Sequence, residues 1–303
     1  MKTVSNVWNF QPLKQVLKET SDITWIIKGW LAEGSLTMIS GSPKLGKSLL
    51  ELNIGLAVSQ GARFLGMETA KKKVALVSAE DGAPIFQNRI KKMELEPNED
   101  FLIDFGSKFL DQQRNIKSLT EIIKREKIGL LMFDPYIRFH KADENSADAA
   151  KAIYMLKDVA SETGVGIIIV HHDRKSGGEN GNSIRGSSAI FGAIDLAIML
   201  KRKGTENHQV QVSFTGKICA SQEPLILTLE ENLQWTCTGK YDAMQRTNSD
   251  ELILNLLDQK TGMKWSELEK ESDKGKSSLK LIIDRLIEDK LIYKGDDGLW
   301  YKK

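Results

Sequence analysis

Short, nearly uninterrupted apolar runs recur along the chain at Leu36 to Ile39, Val74 to Val77, Ile128 to Phe133, Val165 to Val170 and Leu196 to Leu200. Runs without alternation predict strands buried on both faces. Between them, Leu49 to Val58, Ile85 to Met93, Leu119 to Arg125 and Ala149 to Ser161 carry apolar residues at helical spacing. Strand and helix in turn predict an α/β fold, a mostly parallel sheet covered by helices. From Gln209 the pattern changes to alternation: Val210, Val212 and Phe214, then Leu225 to Leu229, then Leu233 to Trp235. Alternation predicts antiparallel strands, here at the far edge of the sheet. Residues 1–30, with Trp8, Phe10, Leu13, Val16 and Leu17, read as a helical lead-in.

The polar stretch Thr238 to Ser249 predicts a boundary, giving a core over 31–240 and a small domain over 241–303. In the latter, Leu252 to Leu257 and Trp265 to Glu271 predict two helices. Leu279, Ile282, Ile283 and Leu286 mark the apolar face of a third. Leu291 to Lys294 and Leu299 to Tyr301, joined through Asp297-Gly298, predict a hairpin. Three helices followed by a hairpin is the pattern of a winged helix.

Composition narrows the class without naming a chemistry. A chain of 303 residues, 41% hydrophobic and 28% charged, buries a sizeable core unaided. Cys219 and Cys237 are isolated, which argues against a disulfide framework or a zinc site. The first residues lack the apolar core of a secretory signal, and no apolar run reaches the ~18 residues of a membrane span. The expectation is a soluble, cytoplasmic protein with no membrane partner. A net charge of +2 removes global basicity as an argument for nucleic acid.

The chemistry lies at the strand ends. Gly41-Ser42-Pro43-Lys44-Leu45-Gly46-Lys47-Ser48, followed by Leu49, has the phosphate-loop pattern between a predicted strand and a predicted helix. Glycines let backbone N–H groups turn toward phosphates, Lys47 supplies a cation, and the Ser48 hydroxyl suits Mg²⁺. Helix dipole and loop together predict ATP with Mg²⁺ as the bound species. Glu80, just past the second strand, is a candidate general base for water. Asp134 ends Leu130-Leu131-Met132-Phe133 and is a candidate Mg²⁺ residue. His171 and His172 end a further strand, and His172 is the preferred candidate for sensing the γ-phosphate.

Together with Phe139-His140, Glu144-Asn145, Lys175 and Arg185-Gly186-Ser187, these elements resemble RepA-type hexameric replicative helicases. They also resemble related RecA-like ATPases of plasmids, phages and other mobile elements. The resemblance spans roughly Trp25 to Leu229. It implies a RecA-like core, a homo-oligomeric ring, usually of six, ATP between subunits and single-stranded DNA in the pore. It further implies that Ser176 to Ser183 is a pore loop whose flanking Arg174, Lys175 and Arg185 meet strand phosphates.

Two positions depart from the pattern. Asp195 stands where some members have an arginine finger, and Cys219 replaces the arginine of a Lys-x-Arg pair whose lysine is Lys217. Lys217, Arg185 or Arg202 would have to substitute, or turnover is slow. Lys276 and Lys280 begin the third helix of the C-terminal module, where a reading helix meets DNA. Residues 247–303, however, carry a net charge of −1, so duplex DNA and a replication protein both remain partners for that module. The functional readings are a DNA-dependent motor, an ATP-switched initiator or loader, and a regulatory ATPase without nucleic acid.

Overall fold

The computed structural model describes residues 10–19, 22–94, 98–141, 149–172, 188–203, 208–218, 223–260, 262–288 and 290–303. Arg174, Lys175, Arg185 and the rest of 173–187, with Glu144, Asn145 and Cys219, lie outside the described residues. The chain divides into two compact units. The first is residues 1–200 with 214–220 and 231–234, and the second is the remainder.

The lead-in is only partly helical. A short helix, α1 (Leu13–Glu19), precedes a small antiparallel pair, β1 (Trp25–Ile27) with β2 (Leu31–Ala32). Trp30, in the turn between them, is fully buried and meets Phe64 and Phe214 edge-on. Those contacts, rather than local propensity, hold this segment extended.

Then come β3 (Leu36–Gly41), α2 (Lys47–Gln60), β4 (Lys73–Ser78), α3 (Ala83–Lys92), β5 (Phe101–Asp104), α4 (Gln113–Glu126) and β6 (Ile128–Asp134). A 3-10 turn, Tyr136–Phe139, leads on to α5 (Ala149–Thr163), β7 (Gly166–His172), α6 (Ser188–Ala193) and β8 (Leu196–Arg202). The strands run in the order β8-β3-β7-β6-β4-β5, and neighbours in this series pair parallel. Helices cover both faces. On one, α2 lies so close to the sheet that a Cβ on Gly55 would stand 2.4 Å from the Met132 methyl. On the other, Leu131 and Phe133 join Ile153 and Leu156 of α5 and Ile167 and Ile169 of β7 in the main core. Sequence reading misses β5, because Phe-Leu-Ile-Asp is too short to show a period.

Parallel register brings the strand ends level. Gly41 pairs with His172 on one side and Leu200 on the other, and Ser78 pairs with Asp134. The ends of β3, β4, β6, β7 and β8 therefore share one edge of the sheet.

The second unit holds most of β9 (Gln209–Gly216) with β10 (Leu225–Leu229) and β11 (Trp235–Lys240). These pair antiparallel, as alternation predicts. The polar stretch Thr238 to Ser249 is not a bare connection: it closes β11 and opens a long helix, α7 (Tyr241–Gln259). α8 (Trp265–Ser272), α9 (Lys276–Glu288) and the antiparallel pair β12 (Ile292–Lys294) with β13 (Trp300–Lys302) complete it. Ile253, Leu257, Leu268, Leu279, Ile283, Leu286 and Ile292 form its core, and Arg285 grips Asp250 with two nitrogens, Nε at 2.9 Å.

Candidate functional site

At the shared edge, β3 ends in a loop whose backbone only particular residues can adopt. A Cβ on Gly41 would stand 2.7 Å from the Leu200 carbonyl, so β8 passes too close for any side chain. Lys44 and Gly46 both have positive φ, 65° and 79°, and Gly46 caps α2 without any side-chain acceptor. The first N–H groups of a 14-residue helix are thus left for an outside anion. Ser42, Pro43 and Lys44 are exposed, Leu45 is buried, and Ser48 and Leu49 are half-buried.

Lys47 does not extend into an open cavity. Its ammonium is buried and donates to the carbonyls of Gly41 and Ser42 at 2.8 and 2.9 Å. The lysine thus closes its own loop, and phosphate oxygens entering the loop would compete for the same donor.

The Ser48 hydroxyl stands close enough to the Asp134 carboxyl to favour its ionised form. Asp134 is buried, and its carbonyl accepts the Ala79 N–H at 2.9 Å, so the ends of β4 and β6 are stitched together at this point. Burial, followed by the charges of Glu80 and Asp81, raises the Asp134 pKa to about 6, against the lowering effects of Ser48 and Arg89. Glu80 is exposed beside it, while Asp81 is held in an ion pair with Arg89 of α3. Among the described residues no three His, Cys, Asp or Glu converge as a metal cage. One hydroxyl and one carboxylate instead suit a hard cation that keeps most of its own water, and Mg²⁺ fits that donor set.

β7 brings its two histidines to the same edge facing opposite ways, since side chains alternate along a strand. His171 is buried with its ring 6.0 Å from that of Tyr136, which in turn lies 4.7 Å from the ring of His140. His172, half-buried and paired with Gly41, is the one on the opposite face.

The remaining candidates sit elsewhere. Asp195, just before β8, has its carboxylate bonded to the Leu36 N–H at 3.0 Å and to Lys157 at 2.8 Å. Leu36 begins β3 where Gly41 ends it, about 17 Å away along the strand at 3.3 Å per residue. Lys217 belongs to that far end. Its N–H donates to the Asp195 carbonyl at 2.8 Å, and its exposed ammonium lies 3.3 Å from the Gly192 carbonyl. Lys217 is therefore not assembled with Lys47, Glu80, Asp134 and His172 of its own chain. Arg202 is the exposed last residue of β8. Lys276 and Lys280 are exposed on the first turns of α9 in the second unit.

Sequence reading passes over Glu51. One turn into α2 from Ser48, it is 1% exposed, and burial and the nearby Asp134 charge raise its pKa well above the usual carboxylate range. Its only signal in the sequence is a charged residue inside an otherwise apolar helix.

The family model for the AAA domain matches residues 8–178. The DNA repair protein RadA of Aquifex aeolicus is 26% identical over 178 residues, which is 57% of this chain and 35% of RadA. The match thus spans about a third of that relative's length. Among solved structures, a DnaB-like replicative helicase aligns with a TM-score of 0.56 at 15% identity over 74% of this chain and 64% of that one. An isolated ATPase domain gives 0.55 at 16% identity over 74% and 94%. A KaiC-like protein from Pyrococcus horikoshii gives 0.51 at 13% over 70% and 93%. The chain belongs to the AAA domain family and has the RecA-like P-loop ATPase fold.

Proposed function

We propose that this chain is an ATP-hydrolysing, DNA-dependent motor. It works as a homo-oligomeric ring, of six subunits by the resemblance of its motifs, on single-stranded DNA in the replication or recombination of a mobile element. The observation that carries the reading is the closeness of Ser48, at an uncapped helix start, to the buried Asp134 carboxyl, with Glu80 beside it. Residues 41–49 cradle the phosphates through backbone N–H groups, and Lys47 exchanges the carbonyls of Gly41 and Ser42 for phosphate oxygens. Ser48 and Asp134 hold Mg²⁺, which when bound offsets charge on the β- and γ-phosphate oxygens. With a pKa of about 6, Asp134 is ionised at neutral pH as that role needs. Glu80 orients the attacking water and takes its proton, and His172 reads the γ-phosphate. Lys217, remote from its own loop, serves the site of a neighbouring subunit.

On this reading Arg174, Lys175 and Arg185 meet the strand's phosphates in the pore. The second unit's three helices and hairpin act as a winged helix, with Lys276 and Lys280 toward duplex DNA or a replication protein. The names of the relatives, a DNA repair protein and a replicative helicase, support a DNA-related role. No helix among the described residues is long and apolar enough to cross a membrane.

One observation favours a second reading, an ATP-switched initiator or loader with little unwinding. Asp195 is held by Lys157 and Leu36, so that position offers no cation to a neighbour, and the task falls to a lysine. An arginine in that role is worth orders of magnitude in rate.

The test is steady-state ATP turnover with and without single-stranded DNA, using Lys47→Ala as the blank and Glu80→Gln as the binding-competent, inactive form. Strong stimulation is expected. Turnover indifferent to DNA overturns the motor and leaves the loader, and unchanged turnover in Lys47→Ala overturns the nucleotide site itself.

A further inference from the structure

The second unit ends in an aromatic surface that the ATP chemistry does not use. Tyr293 of β12 faces Tyr301 of β13 across the pair. On the other side of β13, Met263 and Trp300 exchange two backbone hydrogen bonds at 3.0 and 2.9 Å, which lays Gly262 beside Tyr301. The Tyr301 ring occupies room that two missing side chains leave. A Cβ on Gly262 would stand 2.7 Å from the ring, and one on Gly295 would stand 2.8 Å from it. Asp297 fixes the rim, accepting the Tyr301 hydroxyl with one oxygen and the Leu299 N–H with the other, the latter at 3.0 Å. Upon this seated ring Tyr293 stacks with centroids 5.4 Å apart and planes at 21°. Tyr293 is 45% exposed.

A seated ring carrying a second ring with an open face is a surface to which a third flat ring adds without rearrangement. The charges around it select which one. Lys290 and Lys303 are exposed at the open end of the pair, Lys294 lies on the opposite face 5.6 Å above the Trp300 ring, and Lys302 is in an ion pair with Asp258 at 3.2 Å. Opposing them on the hairpin are Asp296 and Asp297, and Asp297 is already engaged by Tyr301. Flat rings strung on a polyanion match such a surface, and an unpaired strand is what presents them. A duplex keeps its ring faces stacked internally and has none to offer along its length.

We propose that the Tyr293 face of the β12–β13 hairpin is a base-stacking platform for single-stranded nucleic acid. It uses none of the residues of the ATP-binding edge and neither Lys276 nor Lys280 of α9. It shares with the proposed function only that a strand is a partner, and it needs no step of the ATP reaction.

The full chain, without nucleotide, is irradiated with a thymidine oligomer carrying 5-iodouracil, and cross-linked peptides are mapped. Affinity for the same strand is followed by fluorescence anisotropy. The expected cross-link falls on Tyr293. Tyr293→Leu removes it and weakens strand binding about tenfold, the scale of one base–aromatic stack. Its melting temperature and DNA-free ATP turnover stay unchanged, and Tyr293→Phe keeps both cross-link and affinity. Cross-links confined to residues outside 290–303, or undiminished affinity in Tyr293→Leu, overturn the platform. A cross-link on Tyr293 in a chain whose ATP turnover survives Lys47→Ala would sink the proposed nucleotide site and leave the platform standing.

Discussion

Asp134→Asn separates what the site costs the empty protein from what it does for the reaction. Burial and neighbouring carboxylates raise the Asp134 pKa from the ordinary 3.8 to about 6. Below pH 4 the carboxyl is protonated in folded and unfolded chains alike, and it costs nothing. Between pH 4 and 6 it ionises when the chain unfolds but stays protonated when folded, so stability falls as pH rises. Above pH 6 the folded protein carries the full penalty, about 3 kcal/mol at roughly 1.4 kcal/mol per tenfold in proton affinity. Asparagine is nearly the same shape and brings no charge beside Glu80 and Asp81. Without Mg²⁺ or nucleotide at pH 7.5, the variant should melt about 6–12 °C above the parent, given 2–4 °C per kcal/mol for a unit this large. The gain should shrink to nothing by pH 4, and Mg²⁺ with ADP should stabilise the parent but not the variant. Differential scanning calorimetry across pH reads all three. A variant that melts at or below the parent at pH 7.5, or whose advantage persists at pH 4, refutes the reasoning.

Other consequences are as direct. Glu51→Leu removes a buried carboxyl with one oxygen lacking a hydrogen-bond partner, and should stabilise the metal-free chain by about 1–3 kcal/mol; a lower melting temperature would show that the carboxyl supports the fold. Gly216→Ala would place a Cβ 2.2 Å from the Asp195 carbonyl, so it should cost at least about 3 kcal/mol. A circular-dichroism melt unchanged from the parent's would contradict that crowding. Lys157→Met should also destabilise, by about 1–3 kcal/mol, because it leaves the Asp195 carboxylate, 14% exposed, without its cation; restoring the loss with Asp195→Asn in the double variant checks that the charge is responsible.

The sequence by itself determined the sheet's principal strands and the place of the glycine-rich loop between strand and helix. Uninterrupted apolar runs can be buried only between two layers of helix, and a glycine-rich turn between strand and helix leaves N–H groups for phosphate. The same local logic placed Asp134 and Glu80 at one edge of the sheet, because a carboxylate closing an apolar run has to stand at a strand's end. Tertiary structure decided the rest. Trp25–Ile27 is extended because Trp30 packs against Phe64 and Phe214, and β5, too short to show a period, is a strand because β4 pairs with it. The approach of Ser48 to Asp134 brings together residues 86 positions apart, and it exists only because parallel register aligns Gly41, Ser78, Asp134 and His172 on one edge. Likewise Asp195, in sequence merely an acid where the family resemblance leads one to expect an arginine, is a tether between Lys157 and the first residue of β3. Periodicity is a property of neighbours along the chain. Which side chains meet, and how far burial shifts their protons, depends on register and packing between segments far apart in sequence.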